Sequence, residues 1–376
     1  MTPIDIIAVT TSAPLREFML LPWKIYPALR DDQHWVPPLI MDLKKNFDKK
    51  RHPFFLHSEA EFFLARRHGE TVGRIAAILN NNHNKFHNER CAFFGFFESI
   101  NEPAVATALL ERAADWARAK GMTTLRGPAN YSSNDTWGLL VEGFDMPPVI
   151  LMTYNPRYYV DLIEKAGFGK AMDLYAWWIA DPHGVNPKVV RVGEKVLKEE
   201  NMQLRTINMK NFWGEVEIIK KIYNDAWSNN WGFVPMTDAE FNYMAKALKP
   251  VVDPRLVLVV EKDGAPVGFS LSVPDYNVAL QKINGRLLPF GLFKVLYHKR
   301  SIKHARAITL GVVRRLQTNS GIGAALYLET VRRCAAAGFP RGECSWTLES
   351  NTFINRGMKL LGAKLYKRYR IYERAV

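Results

Sequence analysis

The chain repeats itself, and the repeat restricts it to folds that can be built twice along one polypeptide. The run from Phe62 to Ala76 reads as strand, tight turn, strand, and so does the run from Leu256 to Leu271. Gly69 and Gly264, Val72 and Val267, and Gly73 and Gly268 are all 195 positions apart. His68-Gly69 and Asp263-Gly264 supply the positive φ that a tight hairpin turn needs. Each hairpin is followed by another apolar strand, Cys91–Phe97 in one half and Ala307–Val313 in the other. A helix with apolar positions three and four apart comes next: Val105–Lys120 stopped by Gly121, and Ile322–Ala337 stopped by Gly338. Leu109 and Leu326, like Gly121 and Gly338, are 217 positions apart. The longer offset implies an insertion in the second half around Pro274–His304.

The order then continues in parallel. A strand (Thr123–Gly127, Gly342–Glu349) leads to an Asn (Asn155, Asn351) and a short helix ending near Ala166 and Leu361. A Gly (Gly167, Gly362) and a last strand (Leu174–Ile179, Tyr366–Tyr372) complete each half. This predicts an α+β protein of two tandem domains, each a mostly antiparallel mixed sheet flanked by helices. At 376 residues the chain exceeds one domain of about 100–200 residues. Ala180–Pro187 is rich in turn formers and lacks periodicity, so the halves are read as 1–182 and 183–376. Val189–Asn201 reads as a helical connector.

At residues 307–338 the second half resembles the GNAT superfamily of acyl-CoA-dependent N-acetyltransferases. The matching run goes from Gly311 through Gly321 and Gly323 to Leu326 and enters a long helix. The family signature is a strand, then Arg/Gln-x-x-Gly-x-Gly/Ala opening a helix. Here Thr318 holds the Arg/Gln position and Gln317 comes one residue early. The segment from Asn351 to Gly362 matches the spacing of the family's late Asn…Gly segment. Residues 58–179 carry the likeness more faintly. The whole chain is similar to tandem-GNAT proteins, and more loosely to bacterial members linked to lipid N-acylation, including ceramide synthases.

Physical chemistry gives the glycine turn its own meaning. A helix start offers unpaired N–H groups and partial positive charge, and glycine lets a phosphate approach the main chain. Ser320, Gly321, Ile322, Gly323 and Ala324 would present such amides to a CoA diphosphate, with Arg314 and Arg315 just upstream; a tight turn with glycine needed only for packing is the plainer alternative. The resemblance implies that acetyl-CoA or a longer acyl-CoA is the co-substrate. It also implies that pantetheine lies between parted strands lined by Leu310–Val313, including Gly311, Val312 and Val313, and by Trp346–Glu349, with a main-chain N–H near Val312 facing the oxyanion, and that Asn351 belongs to the same site. The attacking amine must be neutral, so a base is required. Glu349, at the end of its strand, and Asp275 are the candidates. The family's leaving-group Tyr position is Met358 here and Ile163 in the first half. The first-half loop from Phe97 to Pro103 has no glycine and carries Glu98 and Glu102. The first domain is therefore expected not to bind CoA in this way, and either to shape the acceptor site or to be a purely structural, degenerate copy.

Charge bears on partners. The net charge is +14, and residues 301–376, with 14 Lys/Arg and 4 Asp/Glu, hold +10 of it. Either a polyanionic partner is expected (a phosphorylated co-substrate, an acyl carrier protein, an anionic membrane surface or nucleic acid) or a solvated basic surface that merely keeps the protein soluble. The acceptor is expected to be a small-molecule or lipid amine. One rival is an aminoacyl-tRNA-dependent or RNA-binding module, since Lys364–Arg374 interleaves bases with aromatics. The other is a non-catalytic acyl-CoA sensor. No run approaches the ~20 apolar residues of a membrane span. Three scattered cysteines give neither a disulfide framework nor a zinc site, and the expected setting is cytoplasmic, extending to the inner membrane face. No metal is expected: the polar stretch Asn80–Glu89, with His83 and His87, reads as a solvated loop. Ala129–Gly138 reads as a polar loop that lines an acceptor pocket or merely forms a bonded turn cluster.

Overall fold

The computed structural model describes residues 3–29, 34–318 and 321–376. The hairpins form where the repeat places them: β2 (Glu59–Arg67) with β3 (Glu70–Leu79), and β9 (Val257–Lys262) with β10 (Ala265–Pro274). His68, Gly69, Asp263 and Gly264 all take positive φ at the turns. The other strands are β1 (Asp5–Ala8), β4 (Cys91–Ser99), β5 (Thr124–Gly127), β6 (Leu139–Glu142), β7 (Gly169–Ile179), β8 (Met202–Thr206), β11 (His304–Val312), β12 (Arg341–Leu348) and β13 (Lys364–Ala375).

By compactness the chain divides into two units. The first holds residues up to Leu174, Leu280–Val295 and Arg368–Val376; the second holds Tyr175–Ala279 and Leu296–Lys367. In the first, β1-β2-β3-β4-β5 lie in order, and the far end of β13 runs antiparallel to β5, pairing Tyr372 with Gly127. In the second, the order is β8-β9-β10-β11-β12. Each has one parallel pair, β4 with β5 and β11 with β12, and the other pairings described are antiparallel.

Alternation sorts the side chains. Leu258 and Val260 pack with Val312, Ile322 and Leu326 on one face of the second sheet, while Val257 and Val259 pack with Ile207, Ile222 and Phe269 on the other. The Ile322–Ala336 helix covers the first of these faces. The Pro187–Leu197 helix, the expected connector, lies against it: a Cβ at Gly193 would come within 3.0 Å of Leu328. In the first unit the Pro103–Ala119 helix buries Val105, Leu109, Leu110 and Ala113 on β3 and β4. It begins at Pro103, which needs no N–H partner in a first turn.

The Asn80–Glu89 stretch is not a solvated loop. Asn81–His87 is a short helix whose start is capped by the Asn80 side chain, and His83 is buried. Cap chemistry and tertiary burial outweigh the polar composition there.

Candidate active site

The parallel ladder of β11 and β12 pairs His304–Ala307 with Arg341–Cys344 and then ends, while both strands run on. Arg306 pins the fork. Its guanidinium donates to Ser345 Oγ (2.9 Å) and to the Ser345 carbonyl (3.2 Å), and its Nε lies 3.9 Å from the buried Glu343 carboxylate. The Ser345 and Tyr366 hydroxyls also donate to Glu343. Past the fork, Val313 N–H donates to Val267 on β10 (2.9 Å). Successive strand amides point to opposite edges, so the N–H and C=O of Val312 face the parted side. Gln317 donates to that carbonyl (3.1 Å). Gly311 has no room for a side chain, because a Cβ there would lie 2.3 Å from the Trp227 ring.

Beyond β11 the chain makes a short 3₁₀ turn, Arg314–Leu316, and re-enters at Gly321. Arg314 is not free for a phosphate: its main-chain N–H (2.7 Å) and its Nε (3.2 Å) both reach Asp225. Arg315 is exposed. Ser320 lies outside the described residues. Gly321 has φ +70, and a Cβ there would meet Val196 at 2.7 Å, so this glycine is demanded by packing and conformation together. Gly323 faces open space, with nothing within 4 Å of a Cβ. The first helical main-chain bond is donated by Ala325 to Gly321 (3.0 Å), so the amides of Gly323 and Ala324 have no partner within the helix. A diphosphate fits this helix start: open at Gly323, with the Gly323 and Ala324 amides unpaired within the helix, and braced by Val192 and Val196 of a helix that also carries Lys188, Arg191 and Lys195.

The other predicted residues have local partners. Glu349 is half-buried just past β12, and its carbonyl accepts from Asn355 (3.2 Å). Asp275 is buried and sits 2.7 Å from His304 Nε2. The Asn351 side chain accepts from Ile354 N–H (3.1 Å) and starts the Thr352–Leu360 helix. Met358 is buried among Trp177, Val331 and Leu361, so no acid stands at the family's Tyr position. Burial pushes the thiols of Cys91, Cys334 and Cys344 up to about 12, which removes them as nucleophiles near neutral pH.

The same geometry in the first unit is closed. The β4–β5 ladder ends at Phe93 and Arg126. Ile100 N–H donates to Val72 (3.0 Å), as Val313 does to Val267, so Ser99 holds the place of Val312 and Glu98 that of Gly311. Here the outward main-chain groups are taken: Ser99 N–H donates to Tyr159 Oη (2.9 Å), and Tyr158 donates to the Ser99 carbonyl (2.8 Å). Glu98, read from sequence as part of a strand-to-helix loop, belongs to β4. A register shift opposite Arg74 and Ala76 carries the strand further than its apolar run. Tyr159 donates to Glu98 (2.6 Å), and Arg74 lies 3.4 Å from it. Burial raises the Glu98 carboxyl above the usual range, against the pull of Arg74. These groups border a cavity of about 100 Å³, also lined by Tyr26, Asn130, Thr136 and Asn155. The Ala129–Gly138 loop thus helps wall a chamber.

His83, Glu89 and Cys91 bring potential ligand atoms within 4.8 Å of one another. Glu89 is already held by His83 (3.1 Å) and by the Arg126 guanidinium (3.1 Å), whose charge opposes a cation. In the basic-aromatic stretch of β13, Lys364 and Leu365 are exposed and Tyr366 is half-buried, while Tyr369 and Tyr372 are buried, and Arg370 and Arg374 are paired with Asp173 (2.8 Å) and Glu111 (2.7 Å).

Two tandem α+β units, one with a forked parallel strand pair followed by a glycine helix start, are the architecture of the tandem-GNAT fold. No family model matches the chain. It is 38% identical over 379 residues to the bacterial ceramide synthase of Caulobacter vibrioides, covering 99% of this chain and 98% of that protein. Protein YghO of Escherichia coli is 34% identical over 369 residues, covering 96% and 93%. A tandem GNAT protein from the clavulanic acid biosynthesis pathway shares the fold, with a TM-score of 0.57 at 12% identity over 99% of this chain and 98% of that one. The chain belongs to the family that contains the Caulobacter ceramide synthase and YghO.

Proposed function

We propose that the protein moves an acyl group from an acyl thioester, acyl-CoA or acyl carrier protein, to the primary amine of a lipid-like acceptor. The observation that carries this reading is the fork of β11 and β12, with the Val312 N–H turned into the opening and the helix start at Gly321–Ala324 following in the chain. The amides of Gly323 and Ala324 would hold the carrier's diphosphate. The amine nitrogen adds to the thioester carbonyl, and the oxygen gains charge beside the Val312 amide. The carbon–sulfur bond then breaks, the thiolate leaves, and the nitrogen loses a proton. Glu349 is the base of this proposal, directly or through water; Asp275 is held by His304. With Met358 at the usual acid position, the thiolate takes its proton from solvent.

The name of the Caulobacter relative points to a long-chain amino lipid as the first acceptor to test. The purified full chain is incubated with palmitoyl-CoA or acetyl-CoA and sphinganine, with product mass and free thiol both measured. Equal release of thiol and N-acyl product supports the reading. A folded protein that binds acyl-CoA but acylates no amine would make it the sensor; one that binds no thioester carrier would end the proposal.

A further inference from the structure

The second half carries an insertion between β10 and β11 that the first half lacks. Its base is anchored. Ile283 and Ile302 are buried, Ile40 N–H donates to the Gly285 carbonyl (3.0 Å), and the Trp23 indole donates to Asn284 (2.8 Å). Its tip is not covered: Leu288 is 79% exposed, Phe290 70% and Phe293 68%. In the Gly291–His298 helix, Leu292, Phe293, Leu296 and Tyr297 share one face by helical spacing, and all four are exposed. A helix with its apolar face toward solvent inverts the arrangement of a core helix, and a contiguous patch of this kind marks a docking surface.

Charge selects the occupant. From Tyr276 to Leu328 the sequence has nine Lys/Arg and no Asp or Glu. Lys282, Arg286, Lys294, Lys299, Arg300 and Lys303 are all exposed around the apolar tip. An acidic carrier protein matches the charge but not the projecting Leu and Phe side chains. A bilayer with anionic headgroups matches both, apolar tip to acyl region and basic collar to headgroups. No described helix is long and apolar enough to cross a membrane, so the contact is superficial. We infer that residues 286–303 form a docking element for an anionic membrane surface, with Leu288, Phe290, Phe293 and Tyr297 entering the interface. The inference stands on exposure and charge, independently of the catalytic reading.

The test uses the full chain with vesicles of phosphatidylcholine, alone or mixed with phosphatidylglycerol. Sedimentation should show binding to the anionic vesicles that weakens with salt. A Leu288→Ser/Phe290→Ser/Phe293→Ser variant should lose at least about tenfold in partitioning, and Lys299→Glu/Arg300→Glu about as much, both with unchanged melting. A fluorophore on Phe293→Cys should shift to the blue with anionic vesicles. Equal binding to neutral and anionic vesicles, or binding that neither variant changes, overturns the inference. A self-association broken by the apolar variant without vesicle binding, or capture of acyl carrier protein broken only by the charge variant, overturns it as well.

Discussion

Gly321 and Gly323 look interchangeable in sequence, and the structure gives them different work. Gly321 meets a steric demand, since a side chain would strike Val196 at a positive φ. Gly321→Val should therefore destabilise by about 2–4 kcal/mol, read as a lowered unfolding midpoint. Gly323 faces space, and a carboxylate there suits a helix start by about 0.3–1 kcal/mol. Gly323→Glu should keep or raise the melting temperature yet weaken CoA binding by tenfold or more, through repulsion of the diphosphate. Calorimetric titration decides it: unchanged CoA affinity removes the phosphate role from this helix. His83 gives a prediction in pH. Burial, opposed by Glu89, holds its imidazole down to about 4. Between about 6.5 and 4 the unfolded chain binds a proton that the folded chain refuses, so stability falls as pH drops through that window, by up to about 3 kcal/mol. Urea midpoints at pH 7.5 and 4.5 should differ less in His83→Gln than in the native protein. Equal differences would show that His83 is protonated in the fold.

The hairpins were legible because Gly69 and Gly264 sit beside alternating strands, and the main helices because Gly121 and Gly338 end them. The reach of β4 was not legible. Its apolar run stops at Phe97, but the strand continues through Glu98 and Ser99 because Arg74 and Tyr159 partner the carboxylate. No local pattern reports a partner 24 or 61 residues away. The Arg306 cluster was hidden for the same reason, although it sets the fork on which the open site depends. Arg306→Ala would leave Glu343 buried without its cation, at a cost of about 3–5 kcal/mol. Double Arg306→Met/Glu343→Leu should recover much of that loss by replacing the pair with apolar volume. Chemical denaturation of the four-member cycle measures the coupling, and strictly additive losses would show that the two groups do not act as a pair.

At the scale of the molecule, chain order and compactness disagree. The proposed halves meet at 182/183, yet the first compact unit takes Arg368–Val376 from the far end of the chain. Repeats reveal copies of an element order; they cannot reveal which copy a terminal strand joins, because that is decided by non-local pairing. In the first unit the segment is an interior strand. Tyr369, Ile371 and Tyr372 are fully buried, Arg370 is bonded to Asp173, and Tyr372 donates to Glu164 (2.9 Å). Burying three such side chains contributes about 5–9 kcal/mol, comparable with the entire net stability of a domain. A chain ending at Lys367 should therefore lose the fold of its first unit and not merely a tail. Limited proteolysis should cut the shortened chain rapidly between β2 and β5, where the intact protein resists. A chain of residues 1–182 made alone should be similarly labile and gain protection when a peptide of residues 364–376 is added. A truncated protein that melts like the full one would show that the strand is dispensable, and that the first half of the sequence closes its own sheet.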